Sequence, residues 1–206
     1  MRAGIAWVEP ELVVLVDRAP QVQALLIVRG SPAIGWVLIG ASPVSTGLPG
    51  RFEHFLTPLG AFEHSMANPD FRAEGTRNDL GIRGYGRKGS RIYDFGWAAQ
   101  EKGWARGGMS VMRLQMHSTD PDVLEQRLGT AQSKGCIRIP ASLNEFIDRR
   151  GILDAAYQAE LADGARLWVL RADREATPGA GRWLVVVDSV RNERPPWAPA
   201  PMERRR

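Results

Sequence analysis

Residues 12–16, Leu-Val-Val-Leu-Val, form an apolar, β-branched run that stops at Asp17, the pattern of a buried strand. Residues 21–28 predict a second strand, and Gly30-Ser31-Pro32 supplies a turn into a third over 36–39. Residues 42–51, with Pro43, Gly47, Pro49 and Gly50, read as a turn-rich connection. Phe52-Glu53-His54 and Phe62-Glu63-His64 repeat one tripeptide ten residues apart and predict two strands of similar pattern. Apolar and polar positions alternate over 111–117, a strand that ends on His117. Asp120 is placed to N-cap a short helix over 123–128. Ser142-Leu143-Asn144-Glu145 has capping-box spacing and predicts a helix to about residue 149. A further helix is predicted over 154–161, and strands over 166–170 and 183–187.

Between these elements, residues 68–108 stand apart. Nine glycines are interleaved there with aromatic and basic side chains, among them Arg83, Tyr85 and Arg91. Irregular segments of this length inside a compact domain tend to be functional. Two readings stay open: a capping loop that presents Arg and Lys to an anionic substrate, or strands and turns packed by their own aromatics. Residues 191–206 carry four prolines and end in Arg204-Arg205-Arg206, which predicts an extended tail outside the core. The chain therefore divides into a domain over 1–190, with 68–108 read as a capping insertion, and a Pro/Arg-rich tail over 191–206.

Composition narrows the classes. The chain has 206 residues, enough for one domain with a sizeable core, and 44% of them are hydrophobic. A net charge of +4 is scattered, with no basic patch interleaved by aromatics and no helix-turn-helix or zinc-finger spacing, so nucleic acid is not the expected partner. No apolar run has the length to span a membrane. Residues 1–11 lack signal-peptide character, since Glu9, Pro10 and Glu11 break a short apolar stretch. A monomer is expected.

The chain has one cysteine, Cys136, in Ser133-Lys134-Gly135-Cys136-Ile137-Arg138, and His117 lies nineteen residues upstream. A single cysteine in a soluble domain is commonly a small buried apolar residue. Here a thiol, a glycine beside it and an upstream histidine supply a nucleophile, a close backbone approach and a base. With His54 and His64, His117 offers a three-histidine zinc alternative, which lacks the short ligand spacing that such sites use.

The motif resembles the signature of the L,D-transpeptidases, the YkuD-type catalytic domain: His117-Ser118-Thr119, then Ser133-Lys134-Gly135-Cys136-Ile137-Arg138. Ser45-Thr46-Gly47 with Thr57-Pro58-Leu59-Gly60-Ala61-Phe62 is similar to an upstream segment of that family, and Ile139-Pro140, Leu143-Asn144 and Phe146 to its post-cysteine helix. The resemblance runs from about residue 12 to about residue 153. It implies a mainly β (α+β) sandwich with short helices and a capping loop before the histidine strand. It also implies Cys136 as nucleophile and His117 as base, the latter held by the Ser118 carbonyl. The amides of Lys134, Gly135 and Cys136 would form an oxyanion hole, and Ser133 would orient the loop. Ser133, Lys134, Arg138, Arg83, Arg91 and Tyr85 become candidates for substrate contact. Lys134 departs from the family, which usually has a second histidine there. Its charge would lower the Cys136 pKa, hold a substrate carboxylate, or do neither.

The implied reaction is acyl transfer on peptidoglycan stem peptides without metal or organic cofactor. Cys136 takes the acyl group of diaminopimelate at position three, D-alanine leaves, and an acceptor amine resolves the thioester. The acceptor would be diaminopimelate, giving a 3-3 cross-link, or L-Ala, giving a 1-3 link. The family works outside the cytoplasmic membrane, which implies a periplasmic location. Two alternatives accompany this reading. The same site could hydrolyse, as a carboxypeptidase or a peptidoglycan–lipoprotein amidase. The fold could also serve as a non-catalytic wall-binding module.

Overall fold

A computed structural model describes residue 5 and residues 9–202. Among these residues, nine strands form two mixed sheets. β1 (Glu11–Asp17), β2 (Ala24–Ser31), β3 (Gly35–Pro43), β4 (Gly60–Glu63) and β9 (Trp183–Val187) make the first sheet, in the order β3-β2-β1-β9-β4. β5 (Phe71–Arg72), β6 (Arg91–Glu101), β7 (Met109–Ser118) and β8 (Ile137–Ile139) make the second, in the order β5-β6-β7-β8. β1 pairs with β9 and β7 with β8 in parallel; the other pairs are antiparallel. The helices α1 (Ala141–Arg150) and α2 (Ala155–Ala162) follow β8.

The sheets share one apolar core. β1 contributes Leu12, Val14 and Val16, β2 Leu25 and Ile27, and β9 Leu184 and Val186. The second sheet adds Tyr93, Leu114, Met116, Ile137 and Ile139, and α1 adds Ile147. Each such aliphatic side chain contributes roughly 1.5–3 kcal/mol on burial. In β7 the even-numbered Leu114 and Met116 face this core. By period-two alternation, Arg113, Gln115 and His117 therefore face the other way.

Several expectations change. The 166–170 segment is no strand but a turn, with Leu170 N–H donated to Leu167 and the Val169 carbonyl accepting from the Arg72 guanidinium. Phe52-Glu53-His54 lies in a turn, and only Phe62-Glu63 belongs to a strand, β4. The 123–128 helix shrinks to a single 3₁₀ turn over Glu125–Arg127, because Asp120 caps the preceding turn by accepting the Asp122 N–H. Ser142 caps nothing: Pro140 is the N-cap of α1, and Glu125 Oε1 accepts the Ala141 N–H at 2.7 Å from outside the helix. The 68–108 segment is not one loop, since β6 is an inner strand of the second sheet paired along its length with β7. A bulge between Asp94 and Trp97, with Gly96 at φ +78°, interrupts the alternation that would have marked it.

The C-terminal segment also differs from a free tail. Ala198 packs with Ala19, Val22 and Ala24, and the Arg194 guanidinium donates to the carbonyls of Val22, Gly129 and Pro199. Arg204, Arg205 and Arg206 lie outside the described residues, as do residues 1–4 and 6–8 at the amino end. Among the described residues no helix is long and apolar enough to cross a membrane.

Candidate active site

The parallel pairing of β7 with β8 sets the site. Met116 registers with Ile137, His117 with Arg138 and Ser118 with Ile139. One step back along the ladder, Cys136 stands beside Gln115, whose backbone amide favours the thiolate. Registered residues of parallel strands share a face, so Cys136, Gln115, His117 and Arg138 all point away from the core. Strand geometry alone puts the Cys136 and His117 Cα atoms roughly 8 Å apart on the diagonal, a span two side chains close.

His117 is buried, and its Nδ1 lies 2.8 Å from the Ser118 carbonyl. A carbonyl only accepts, so Nδ1 carries the hydrogen and Nε2 is the free lone pair. Burial pulls the His117 pKa down to about 4; the Ser118 carbonyl works against this and the Arg138 charge adds to it. The imidazole is thus neutral at pH 7. Burial also raises the Cys136 pKa, outweighing the Gln115 N–H and Arg138, which favour the thiolate; Asp94 adds to the rise. The resting pair is thiol and imidazole, not an ion pair.

The cysteine loop is wrapped by residues 45–57. Ser45 bridges Arg138, Gly47 bridges Ser133, and the Phe55 N–H is donated to the Lys134 carbonyl. Thr57 Oγ1 accepts the Gly47 N–H at 2.9 Å and donates to the Gly135 carbonyl at 2.7 Å. A Cβ on Gly47 would fall 1.9 Å from the Phe55 carbonyl oxygen, so a side chain there would force the two segments apart. The Ser-Thr-Gly and Thr-Pro motifs are therefore the outer rail of the cysteine loop.

Ser133 is fully buried; its hydroxyl donates to the Cys136 carbonyl at 2.6 Å and accepts the Gly135 N–H at 3.0 Å. It orients the loop and is out of reach of substrate, which corrects its expected contact role. The same bond engages the Gly135 amide, so of the three expected oxyanion donors it is not free in this conformation.

Tyr85 packs edge-on against His117, with centroids 4.7 Å apart, and its hydroxyl donates to Gln115 Oε1 at 3.3 Å. Its backbone carbonyl accepts the Ser118 hydroxyl. Gly86 lies so close that a Cβ would be 1.8 Å from Ser118 Oγ. Residues 73–90 thus cover the histidine, a narrower cap than 68–108. Arg83 fastens it: its N–H and guanidinium bind Asp120, and the guanidinium also binds Asp122 at 2.6 Å. Tyr85 also lines a cavity of about 280 Å³ with Phe71, Glu74, Thr76 and Ile92. A larger cavity, about 410 Å³, lies by Glu11, Glu63 and Arg182 and contains none of these residues.

Arg91 is no substrate ligand. It is wholly buried and ion-paired to Asp70 at 2.6 Å, Asp154 at 2.7 Å and Asp148 at 3.4 Å, with its guanidinium over the Tyr93 and Tyr157 rings. Lys134 is exposed and pairs with Glu53 at 3.1 Å, while the cation that lowers the thiol pKa is Arg138. Arg138 is half-buried, and among the described residues neither it nor its neighbour Arg127 has a carboxylate partner. The histidines do not gather: His54 bonds the Leu48 carbonyl, and His64 sits between Asp70 and the Leu153 carbonyl. Among the described residues no group of His, Cys, Asp and Glu could hold a metal.

Gln115 and Asp94 belong to the site and were not anticipated. Asp94 accepts from Gln115 Nε2 at 2.9 Å and from Arg113 at 2.6 Å, which fixes the amide that receives Tyr85. Alternation back from His117 was the available signal for Gln115.

No protein-family model matches this chain, and no curated protein matches it.

Proposed function

We propose that this protein is a cysteine acyltransferase of the L,D-transpeptidase type, acting on peptidoglycan stem peptides in the periplasm. The observation that carries the reading is the His117 tautomer. With Nδ1–H donated to Ser118, Nε2 faces the side of the sheet that holds Cys136. The Thr57–Gly135 bond, which ties the upstream motif to the cysteine loop, supports the YkuD-like fold within the wider mainly β class.

In this reading Cys136 Sγ attacks the acyl carbonyl of diaminopimelate while its proton passes to His117 Nε2. The carbonyl electrons move to an oxyanion held by loop amides, those of Lys134 and Cys136 being the ones not bonded to Ser133. Collapse expels D-alanine, protonated by His117, and leaves a thioester. An acceptor amine then gives its proton to His117, attacks the thioester and restores the thiol. Because the resting pair is neutral, charge develops only with substrate bound. Arg138 and Arg127 favour a substrate that brings its own carboxylates.

Incubation of disaccharide-tetrapeptides with the enzyme and with Cys136→Ala, read by mass spectrometry, tests this. A Cys136-dependent dimer lacking one D-alanine is expected, and its fragmentation identifies the acceptor amine. Tripeptide alone would make the enzyme a carboxypeptidase. No change in either sample would overturn this donor and favour a lipoprotein-linked peptide or a binding role.

A further inference from the structure

Beneath the cysteine loop, on the core side of β6, lies Gln100. It registers with Ser110 and shares its face with Ala98 and Met112, opposite to the face that carries Gln115 and His117. It is 1% exposed, and neither Nε2 nor Oε1 has a hydrogen-bond partner among the described residues. A buried amide left unpaired costs about 1–3 kcal/mol per group, and an apolar side chain of the same shape would avoid that cost. The neighbour of this amide is the oxyanion loop. A Cβ built on Gly135 would lie 3.0 Å from Gln100 Oε1 and 2.6 Å from Met112 Sδ. Glycine, at φ +129°, is thus enforced at position 135 both by backbone conformation and by Gln100 and Met112.

The outer bonds of that loop are already assigned. Gly135 N–H goes to Ser133 Oγ, the Gly135 carbonyl to Thr57 and the Lys134 carbonyl to Phe55 N–H. An oxyanion at Cys136 would draw the Lys134 and Cys136 amides toward itself, which loosens the Gly135 peptide between them from Ser133 and exposes polar groups on the core side. Gln100 is the polar side chain that stands there. We propose that Gln100 is a positioning residue of the oxyanion loop: its amide bonds the peptide groups flanking Gly135 when the tetrahedral oxyanion forms. This rests on the acyl-transfer reading. It extends that reading to a residue on the other face of the sheet, which touches neither substrate nor thiol.

The test compares two reactions of the same thiol. p-Nitrophenyl acetate acylates Cys136 through a tetrahedral oxyanion, whereas iodoacetamide alkylates it by displacement at carbon with no oxyanion. Both adducts are followed by intact mass on the full chain. For Gln100→Met, acylation should slow about tenfold, less than the loss of a direct oxyanion donor. Alkylation should stay within twofold, and the melting temperature should hold or rise. Gln100→Glu, which keeps size and acceptor but loses the donor, should also slow acylation selectively and serves if the methionine variant does not fold. Equal changes in both reactions, or a lowered melting temperature with the ratio unchanged, would make Gln100 a packing residue and overturn the proposal. The ratio can be read even if stem peptides are not turned over, so a failed substrate assignment is separable. A wild-type thiol that is alkylated but takes no acyl group would overturn both.

Discussion

Replacing Thr57 by valine keeps the shape of the side chain and removes its hydroxyl. Thr57 is fully buried, and its Oγ1 serves two backbone groups: the Gly47 N–H at 2.9 Å and the Gly135 carbonyl at 2.7 Å. The approach of Phe55 to Gly47 leaves little room for a substituting water. Each orphaned buried group costs about 1–3 kcal/mol, so Thr57→Val should lose about 2–6 kcal/mol. With a urea dependence of about 2 kcal/mol/M, the midpoint moves down by roughly 1–3 M. Thr57→Ser keeps both bonds and gives up one methyl, about 0.8 kcal/mol. The two variants are compared by urea unfolding, and in urea-free buffer by acylation of Cys136. Valine should be slower than serine because the Gly135 carbonyl is no longer anchored. A valine variant within about 0.5 kcal/mol of wild type, with an unchanged acylation rate, would refute the claim that this hydroxyl holds the cysteine loop.

Other outcomes follow from the same geometry. The folded pKa of His117, about 4, lies below its ordinary 6.5, so the unfolded chain binds a proton that the folded chain does not. Stability should therefore be complete above about pH 6.5 and fall by about 3 kcal/mol as pH drops to about 4; His117→Gln should lose that part of the pH dependence, and an unchanged curve counts against a neutral buried imidazole. Arg91→Met strands three buried carboxylates and should cost about 3–5 kcal/mol in thermal or urea unfolding. Turnover per folded molecule should stay at the wild-type value, and a selective loss of turnover would return Arg91 to the site. Lys134→Ala removes an exposed pair worth at most about 1 kcal/mol and should leave the pH midpoint of Cys136 alkylation in place, whereas Arg138→Met should raise it.

The strands with simple patterns were legible. The apolar run of β1 and the alternation ending at His117 each need only one face or a full burial to be read. β6 was hidden because its first six residues are all buried, and Gly96 then breaks the period at the bulge. The predicted strand at 166–170 failed because a short apolar stretch was read without its partner; among the described residues it pairs with no strand, and Trp168 is exposed. At the candidate site, the motif spacing named Cys136, His117 and Ser118, and the pairing of β7 with β8 accounts for how residues nineteen apart come to one face. The partner of Arg91 was not, since Asp70, Asp148 and Asp154 come from separate segments and only the fold brings them to one guanidinium. Arginines in a Gly-rich stretch look alike in sequence; burial separates Arg91 from Arg83.

The placement of β9 has a kinetic side. It inserts between β1 and β4, so the strand pairing of the first sheet joins residue 13 to residue 183 and leaves β4 without a neighbour until the end of the domain is present. Such long-range parallel pairing slows folding. Just past β9, Asp188 pairs with Arg18, whose guanidinium donates to the Thr57 carbonyl at 2.5 Å, and the hydroxyl of Thr57 anchors Gly135. Closing the first sheet and setting the cysteine loop are thus consecutive links of one chain of contacts. During synthesis on the ribosome, a nascent chain that has not yet released residue 188 carries Cys136 and His117 but lacks the last link that fixes them. Reactivity of the thiol should appear as one of the final events of folding, after the second sheet has formed.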